Sequence, residues 1–143
     1  MSHAYVKNHI HLVFGTKERS ASIDKGIQSE MWSYLAGICR NQGMAAIAIN
    51  GMEDHVHILF HLPQIITLAK AVQLLKANSS KWMNERGRRF AWQEGYGAFS
   101  VSTSNTGVVA RYIREQEQHH RKITFAEEYR KLIEKNGYRY VAP

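Results

Sequence analysis

The sequence predicts an α+β protein with a ferredoxin-like β-α-β-β-α-β arrangement, in which an antiparallel sheet carries helices on one face and further helices follow at the C-terminal end. The first observation is the order of local patterns, because short strand-like segments are separated by longer segments with apolar residues at helical spacing. The second is a turn at residues 51–54 between two strand-like segments, which predicts a hairpin. The predicted strands cover residues 4–16, 44–52, 55–62 and 98–103, and the predicted helices between them cover residues 24–42 and 67–85.

The first two predicted elements have regular side-chain patterns. Alternation in the first strand places Ile10, Leu12 and Phe14 on one face and His9, His11 and Val13 on the other. Asp24 is a suitable N-cap for the first helix, and Gly43 suits the left-handed position beyond its C-terminus. These patterns fix both ends of the predicted helix.

The C-terminal part is predicted to be helical. Ser104 or Asn105 is expected to cap a helix that runs from about Val108 to His119. A last amphipathic helix is predicted over residues 125–136, because apolar side chains recur on one helical face at Phe125, Tyr129, Leu132 and Ile133.

Composition limits the class of protein. A chain of 143 residues with 44% hydrophobic residues fits one domain, residues 1–143. No apolar run approaches the roughly 20 residues that cross a bilayer, and the N-terminus lacks the apolar core of a signal peptide, so we expect a cytoplasmic protein without a membrane partner. The single cysteine, Cys39, is expected to be a small buried hydrophobe. The formal net charge of +7 favours a polyanionic partner without identifying one.

Two histidines of the third strand form a candidate metal site. His55 and His57 are two residues apart, so their side chains emerge on the same face of the strand. Neutral imidazole nitrogens held on a rigid strand can bind one divalent cation. A second pair with this spacing, His9 and His11, is a rival location, for which packing or backbone hydrogen bonding is the default explanation.

The helix predicted from residue 108 offers a nucleophile and a third ligand. Tyr112 and Gln116 are four residues apart and therefore neighbours on one helical face, with His119 following. A phenol hydroxyl can act as a covalent nucleophile, and a glutamine carbonyl oxygen can bind a hard cation. Both residues are also ordinary helix residues, so simple packing is the alternative explanation.

Four segments of the chain together resemble a known family. They are residues 11–19 (HLVFGTKER), 54–59 (DHVHIL), 96–102 (YGAFSVS) and 112–120 (YIREQEQHH). In this order they resemble the single-tyrosine HUH transposases, the IS200-like enzymes of short bacterial insertion sequences and their repeat-associated relatives. The resemblance covers nearly the whole chain.

The resemblance implies roles for four residues and a cofactor. His55 and His57 match the metal-binding histidines of the family, and Tyr112 matches its nucleophile. Gln116 matches the side chain that completes the metal shell. The implied cofactor is a divalent metal, Mg²⁺ or Mn²⁺. Glu18 stands where the family often has a tyrosine, which bears on DNA contacts more than on chemistry.

The resemblance also implies a reaction and its partners. The tyrosine attacks a DNA phosphate and leaves a 5′-phosphotyrosine and a free 3′-OH, so another 3′-OH can reseal the strand without ATP. The implied partners are single-stranded DNA at hairpin-bearing transposon ends and a second copy of the chain in a homodimer. In the family the tyrosine helix often docks on the partner's histidines, and the polar connection at residues 102–107 would permit that exchange. His119 and His120 receive no role.

Three other functions remain open. A non-catalytic DNA-binding relic of a transposase would keep the fold and the charge. A metal-dependent nucleotide hydrolase of the histidine-triad kind needs a third alternating histidine, but position 59 is leucine. A replication initiator or relaxase shares the histidine pair but usually has more domains. The nucleic-acid-binding residues are not assigned, and the candidates for phosphate contacts are Lys17, Arg19, Lys76 and Lys81.

Overall fold

A computed structural model describes residues 3–141 and shows the predicted α+β architecture. The strands are β1 (His9–Gly15), β2 (Ala45–Met52), β3 (His55–His61) and β4 (Gly97–Val101). The helices are α1 (Lys25–Asn41), α2 (Leu68–Glu85), α3 (Thr106–Arg114), α4 (Gln116–His119) and α5 (Phe125–Lys135). Single turns of 3-10 helix cover Lys17–Arg19 and Thr103–Asn105.

The four strands form one antiparallel sheet in the order β2-β3-β1-β4, which is the ferredoxin-like order. One face packs against α1 and α2, with Leu12, Phe14, Ile58 and Phe60 fully buried between the layers. The other face carries His11, Val13, His55, His57 and Leu59 and is covered by the C-terminal helices. Both faces are therefore buried, and the histidine pair lies on the face opposite the main core.

Most helix ends agree with the capping residues in the sequence. The Asp24 side chain accepts a hydrogen bond from the Gly26 amide at the start of α1, and Gly43 after its end has a φ of 69°. The Thr67 hydroxyl accepts from the Lys70 amide at the start of α2. Among the described residues, no helix is both long and apolar enough to cross a membrane.

Two strand boundaries were predicted too generously. β1 begins at His9 rather than Ala4, because residues 3–8 lie outside the sheet and only from residue 9 onward does the chain pair with β3 and β4. β4 ends at Val101 rather than Thr103, since the chain turns into the 3-10 turn there.

The single helix predicted from Val108 to His119 is wrong, because it is two helices that meet at Glu115. The Asn50 side chain on β2 donates hydrogen bonds to the carbonyl oxygens of Ile113 and Arg114, both at 3.1 Å. These carbonyls would otherwise accept from the next helical turn, so the contact from β2 ends α3. The N-cap of α3 is Asn105, but its side chain makes no capping hydrogen bond.

Candidate metal centre and nucleophile site

The predicted histidine pair lies under α4 and α5 on the buried sheet face. His55 and His57 are both 0% exposed, and their ring centroids are 5.1 Å apart. The alternation of β3 places both rings on this face, as predicted. The strand holds them in one orientation, because its neighbours β1 and β2 pair with it along its whole length.

Glu128, which the sequence analysis missed, brings a buried carboxylate to these histidines. Its Oε1 atom lies 3.3 Å from His55 Nε2, 3.1 Å from His57 Nε2 and 3.0 Å from His120 Nε2. The residue is 2% exposed. A signal was present in the sequence, since Glu128 falls on the apolar face of α5, three residues after Phe125, where a carboxylate needs a partner.

The other ring nitrogen of each histidine faces a hydrogen-bond acceptor. His55 Nδ1 lies 2.7 Å from an Asp54 carboxylate oxygen, and His57 Nδ1 lies 2.8 Å from His11 Nε2. His120 Nδ1 lies 2.9 Å from the Ile123 carbonyl oxygen. With a metal bound, the remaining proton of His55 and of His57 would lie on Nδ1 and would leave Nε2 free as a ligand, as the outer contacts of metal-binding histidines require.

The rival pair His9 and His11 does not form a second site. His11 acts instead as the acceptor behind His57, and the two rings stack with centroids 5.1 Å apart. His9 packs edge-on against His61. Among residues 3–141, the cluster of histidine and acidic side chains able to hold a metal consists of His55, His57 and Glu128.

Gln116, which the sequence predicts as a third metal ligand, lies in the same cluster. Its Oε1 atom lies 2.8 Å from His55 Nε2 and 3.1 Å from His120 Nε2, and its amide nitrogen donates to Glu128 Oε2 at 2.9 Å. The break before α4 turns this side chain inward, and it is 0% exposed.

This donor set fits a divalent metal. In an octahedral shell with bonds near 2.1 Å, adjacent ligand atoms lie about 3.0 Å apart. Here His55 Nε2 lies 2.8 Å from Gln116 Oε1 and 3.3 Å from Glu128 Oε1. His57 Nε2 lies 3.1 Å from the same Glu128 oxygen. Two imidazole nitrogens with carboxylate and amide oxygens suit Mg²⁺ or Mn²⁺ better than a thiolate-preferring ion.

The carboxylate dominates the electrostatics of the cluster. Burial disfavours the charged form of His55, but hydrogen bonds to Asp54, Glu128 and Gln116 raise its pKa to about 9. Burial lowers the pKa of His57 despite the same carboxylate. Burial would raise the pKa of Glu128, but hydrogen bonds from the three surrounding histidines hold it far below its usual range. A cation at the Nε2 atoms therefore displaces a proton from His55 and meets a carboxylate that is already ionised.

Tyr112 on α3 reaches the same carboxylate from the opposite side. Its hydroxyl donates a hydrogen bond to Glu128 Oε2, while Glu128 Oε1 faces the histidines. Its ring lies edge-on to His57 with centroids 5.7 Å apart. Burial, followed by the nearby carboxylate, raises the pKa of the phenol. The structure thus brings all four predicted site residues together around Glu128.

A cavity of about 470 Å³ opens beside Tyr112. Its walls include His11, Glu128 and the two lysines of α5, Lys131 and Lys135. These lysines are exposed, one helical turn apart, and place positive charge next to the phenol. The two lysines therefore give this cavity a positively charged rim.

The predicted phosphate candidates lie elsewhere. The Lys76 ammonium donates to the carbonyl oxygens of Gln93 at 2.8 Å and Gly95 at 2.7 Å, so it holds the loop before β4 rather than a ligand. Arg19 lies over the Phe125 ring at 5.9 Å. Neither side chain lines the cavity beside Tyr112.

The known proteins that this chain resembles are transposases. The family described as "Transposase IS200 like" matches residues 4–116. Transposases for insertion sequence element IS200 from Salmonella typhimurium and Salmonella typhi are each 26% identical over 115 residues, covering 74% of this chain and 74% of each relative.

Two solved structures share the fold. A Deinococcus radiodurans R1 protein assigned to the transposases has 22% identity and a TM-score of 0.61, and the match covers 81% of this chain and 96% of the other. A REP-associated tyrosine transposase bound to a REP hairpin has 14% identity and a TM-score of 0.61, covering 84% and 73%.

Proposed function

Because the chain belongs to the IS200-like transposase family, we propose that it cuts and rejoins single-stranded DNA through a covalent 5′-phosphotyrosine on Tyr112. Family membership makes it a transposase and implies DNA strand cleavage and transfer. The tyrosine chemistry and the roles of individual residues are the proposal.

The observation that carries this proposal is the shared carboxylate. Glu128 contacts the Tyr112 hydroxyl with one oxygen and the histidine nitrogens with the other. A nucleophile and a metal centre on the two oxygens of one side chain lie within reach of a single phosphate group.

The proposed metal ligands are His55, His57, Gln116 and Glu128. When bound, the divalent metal would supply Lewis-acid activation of the scissile phosphate. The protein side chains do the rest: the outer contacts from Asp54 and His11 orient the imidazoles, and burial excludes water from their nitrogens.

Tyr112 attacks the phosphorus in this proposal. The bond between its phenol oxygen and phosphorus forms as the bond to the 3′ oxygen breaks. The phenol proton passes to the Glu128 carboxylate that accepts its hydrogen bond, and the leaving 3′ oxygen takes a proton from water, which leaves a phosphotyrosine ester and a free 3′-OH. The hydrogen bond to Glu128 Oε2 fixes the direction of the phenol before attack. The ester keeps the energy of the broken bond, so a second 3′-OH can reseal the strand.

The proposed partner is single-stranded DNA at hairpin-bearing transposon ends. An unpaired backbone can bend into a cavity of this size and reach Lys131 and Lys135. One structural neighbour is a transposase bound to a hairpin, which supports a DNA ligand of this class.

A homodimer remains a prediction. Tyr112 lies beside His57 of its own chain, since α3 packs on β2 and β3. The site as described does not need a partner's helix. A dimer that exchanged α3 would reproduce the same contacts between two chains.

The test is cleavage of a labelled single strand carrying the end of the chain's own element. With Mg²⁺ or Mn²⁺ the wild type should form a covalent protein–DNA adduct, and Tyr112→Phe or EDTA should abolish it. Strand binding without an adduct under any divalent metal would favour the relic and refute the proposal.

A further inference from the structure

A second and larger cleft lies on the other side of α5 from Tyr112. It has a volume of about 1100 Å³ and is bounded by the outer edge of β4, by α5 and by the C-terminal residues. Its walls include five aromatic side chains, Tyr96, Phe99, Tyr129, Tyr138 and Tyr140. The charged side chains that line it are two arginines, Arg19 and Arg139, and two carboxylates, Glu18 and Glu94. The mechanism proposed above uses none of these groups.

The rings form a surface that is partly open. Tyr96 is 38% exposed and Tyr138 is 69% exposed, so flat faces remain available to a ligand. Gly97 lies between two rings of the cleft. A Cβ atom there would lie 3.1 Å from the rings of Phe99 and Tyr129, so these rings pack against the bare backbone. This concentration of exposed tyrosine in one concave site differs from the scattered apolar residues of an ordinary surface.

Backbone strain marks one wall of the cleft. Glu18 and Arg19 both have positive φ, 57° and 54°, although neither is glycine. Two successive residues in this region are unfavourable and persist where the surroundings impose them. The conformation holds the Arg19 guanidinium 5.9 Å above the Phe125 ring, at the mouth of the cleft.

A stack of three rings connects the cleft with the metal centre. The Phe125 ring lies 4.1 Å from His55 with an interplanar angle of 5°, and 5.5 Å from Tyr129 with an angle of 27°. His55 belongs to the candidate metal centre and Tyr129 to the cleft. The cleft and the metal centre are therefore separated by one buried ring, Phe125.

We propose that this cleft binds unpaired DNA bases by stacking them on Tyr96, Tyr138 and the neighbouring rings, while Arg19 and Arg139 contact the strand. The proposal rests on the proposed function, because it supplies the bases of the same single strand. Tyrosine faces and guanidinium planes stack on bases of any sequence, and the positive charge of the chain favours the backbone. A peptide paired with the free outer edge of β4 is the alternative occupant, and a cleft that binds only peptides would not prefer an oligomer with bases to one without them.

The test compares two oligomers of about 12 units with the same phosphates, one of thymidine and one wholly abasic. Fluorescence anisotropy in EDTA, at fixed salt, gives a Kd for each, and their ratio reports the contribution of the bases alone. Wild type should bind the thymidine oligomer more tightly by about 5- to 150-fold for each stacked base. Tyr96→Ala and Tyr138→Ala should each lower that ratio at least about fivefold, while Tyr→Phe at either position should preserve it.

The matched control is Tyr5→Ala, since Tyr5 is 93% exposed and lies outside the cleft. A ratio near one in wild type would overturn the proposal. An equal loss of affinity for both oligomers in the variants would also overturn it. Sedimentation of each variant tests whether a second copy of the chain occupies the cleft instead. A variant that lost a dimer but kept the wild-type binding ratio would make the cleft an interface between copies.

The two proposals fail separately. The binding ratio is measured without metal and should be unchanged in Tyr112→Phe, so it does not depend on catalysis. A wild-type protein that formed no adduct but kept the binding ratio would refute the phosphotyrosine chemistry alone. A normal adduct with a ratio near one would refute the cleft alone.

Discussion

Replacing Glu128 with glutamine should weaken metal binding at the site. The substitution keeps the size and shape of the side chain but removes the negative charge that faces the histidine nitrogens. Its Oε1 atom lies 3.1 Å from His57 Nε2 and 3.3 Å from His55 Nε2, within the cluster proposed to hold the metal. Changing groups that only orient metal ligands costs about 10- to 100-fold in affinity. Because Glu128 is itself a proposed ligand, we expect at least that loss, about 1.4–2.7 kcal/mol.

One effect opposes this loss. Glu128 helps to raise the pKa of His55 to about 9. Removing its charge therefore also weakens the binding of the proton that competes with the metal for His55 Nε2. Near neutral pH the weaker proton competition would offset much of the loss of metal affinity. At about pH 9 the competition costs the wild type only about a factor of two, so the titration belongs at that pH.

The assay is calorimetric titration with Mn²⁺ under argon. Glu134→Gln is the matched control, because it removes the same charge from the exposed side of the same helix, where Glu134 pairs with Arg130. Circular dichroism should show that both variants are folded. An unchanged Kd for Glu128→Gln, or an equal loss in Glu134→Gln, would refute the assignment.

Three further predictions concern docking, DNA binding and reactivity. Gly15→Ala should destabilise the fold by about 1–3 kcal/mol in thermal unfolding, because its Cβ would lie 2.7 Å from the Phe125 ring and displace α5. Replacing Lys131 and Lys135 with glutamine should weaken single-strand binding. It should also make the slope of log binding constant against log salt concentration shallower by about 0.7 for each lost phosphate contact. The buried Cys39 thiol, whose pKa burial raises to about 11, should resist iodoacetamide at about pH 8 in the folded protein and react readily in urea.

Each of these has a clear contrary outcome. Wild-type stability of Gly15→Ala would mean that Phe125 does not seat α5 against β1. A salt dependence that fell equally in Lys25→Gln, on the exposed start of α1, would show a general charge effect. Rapid alkylation of Cys39 in the native protein would contradict its burial.

The sheet could be predicted because its information is local. Alternating residues in β1 and β3 determine which side chains face α1 and α2, and the short turn before His55 determines the hairpin. The same alternation placed His55 and His57 on one face. Predictions of this kind need only the period of a strand.

The rest depended on contacts between distant segments. Asn50 on β2 ends α3, and nothing near residue 115 signals that break. Glu128 reaches the histidines only because Phe125 stacks on His55 and seats α5 on the sheet. A helical wheel shows Glu128 on an apolar face, but it does not show which group satisfies the carboxylate.

In the proposed reaction, Tyr112 becomes covalently joined to DNA beside a metal held by His55 and His57. The most direct measurement is mass spectrometry of the protease-digested protein–DNA adduct, which identifies the residue that carries the phosphate. We expect a single phosphorylated peptide that contains Tyr112, formed only with a divalent metal and absent from His57→Ala. A phosphate on any other residue, or an adduct that forms equally in EDTA, would contradict it.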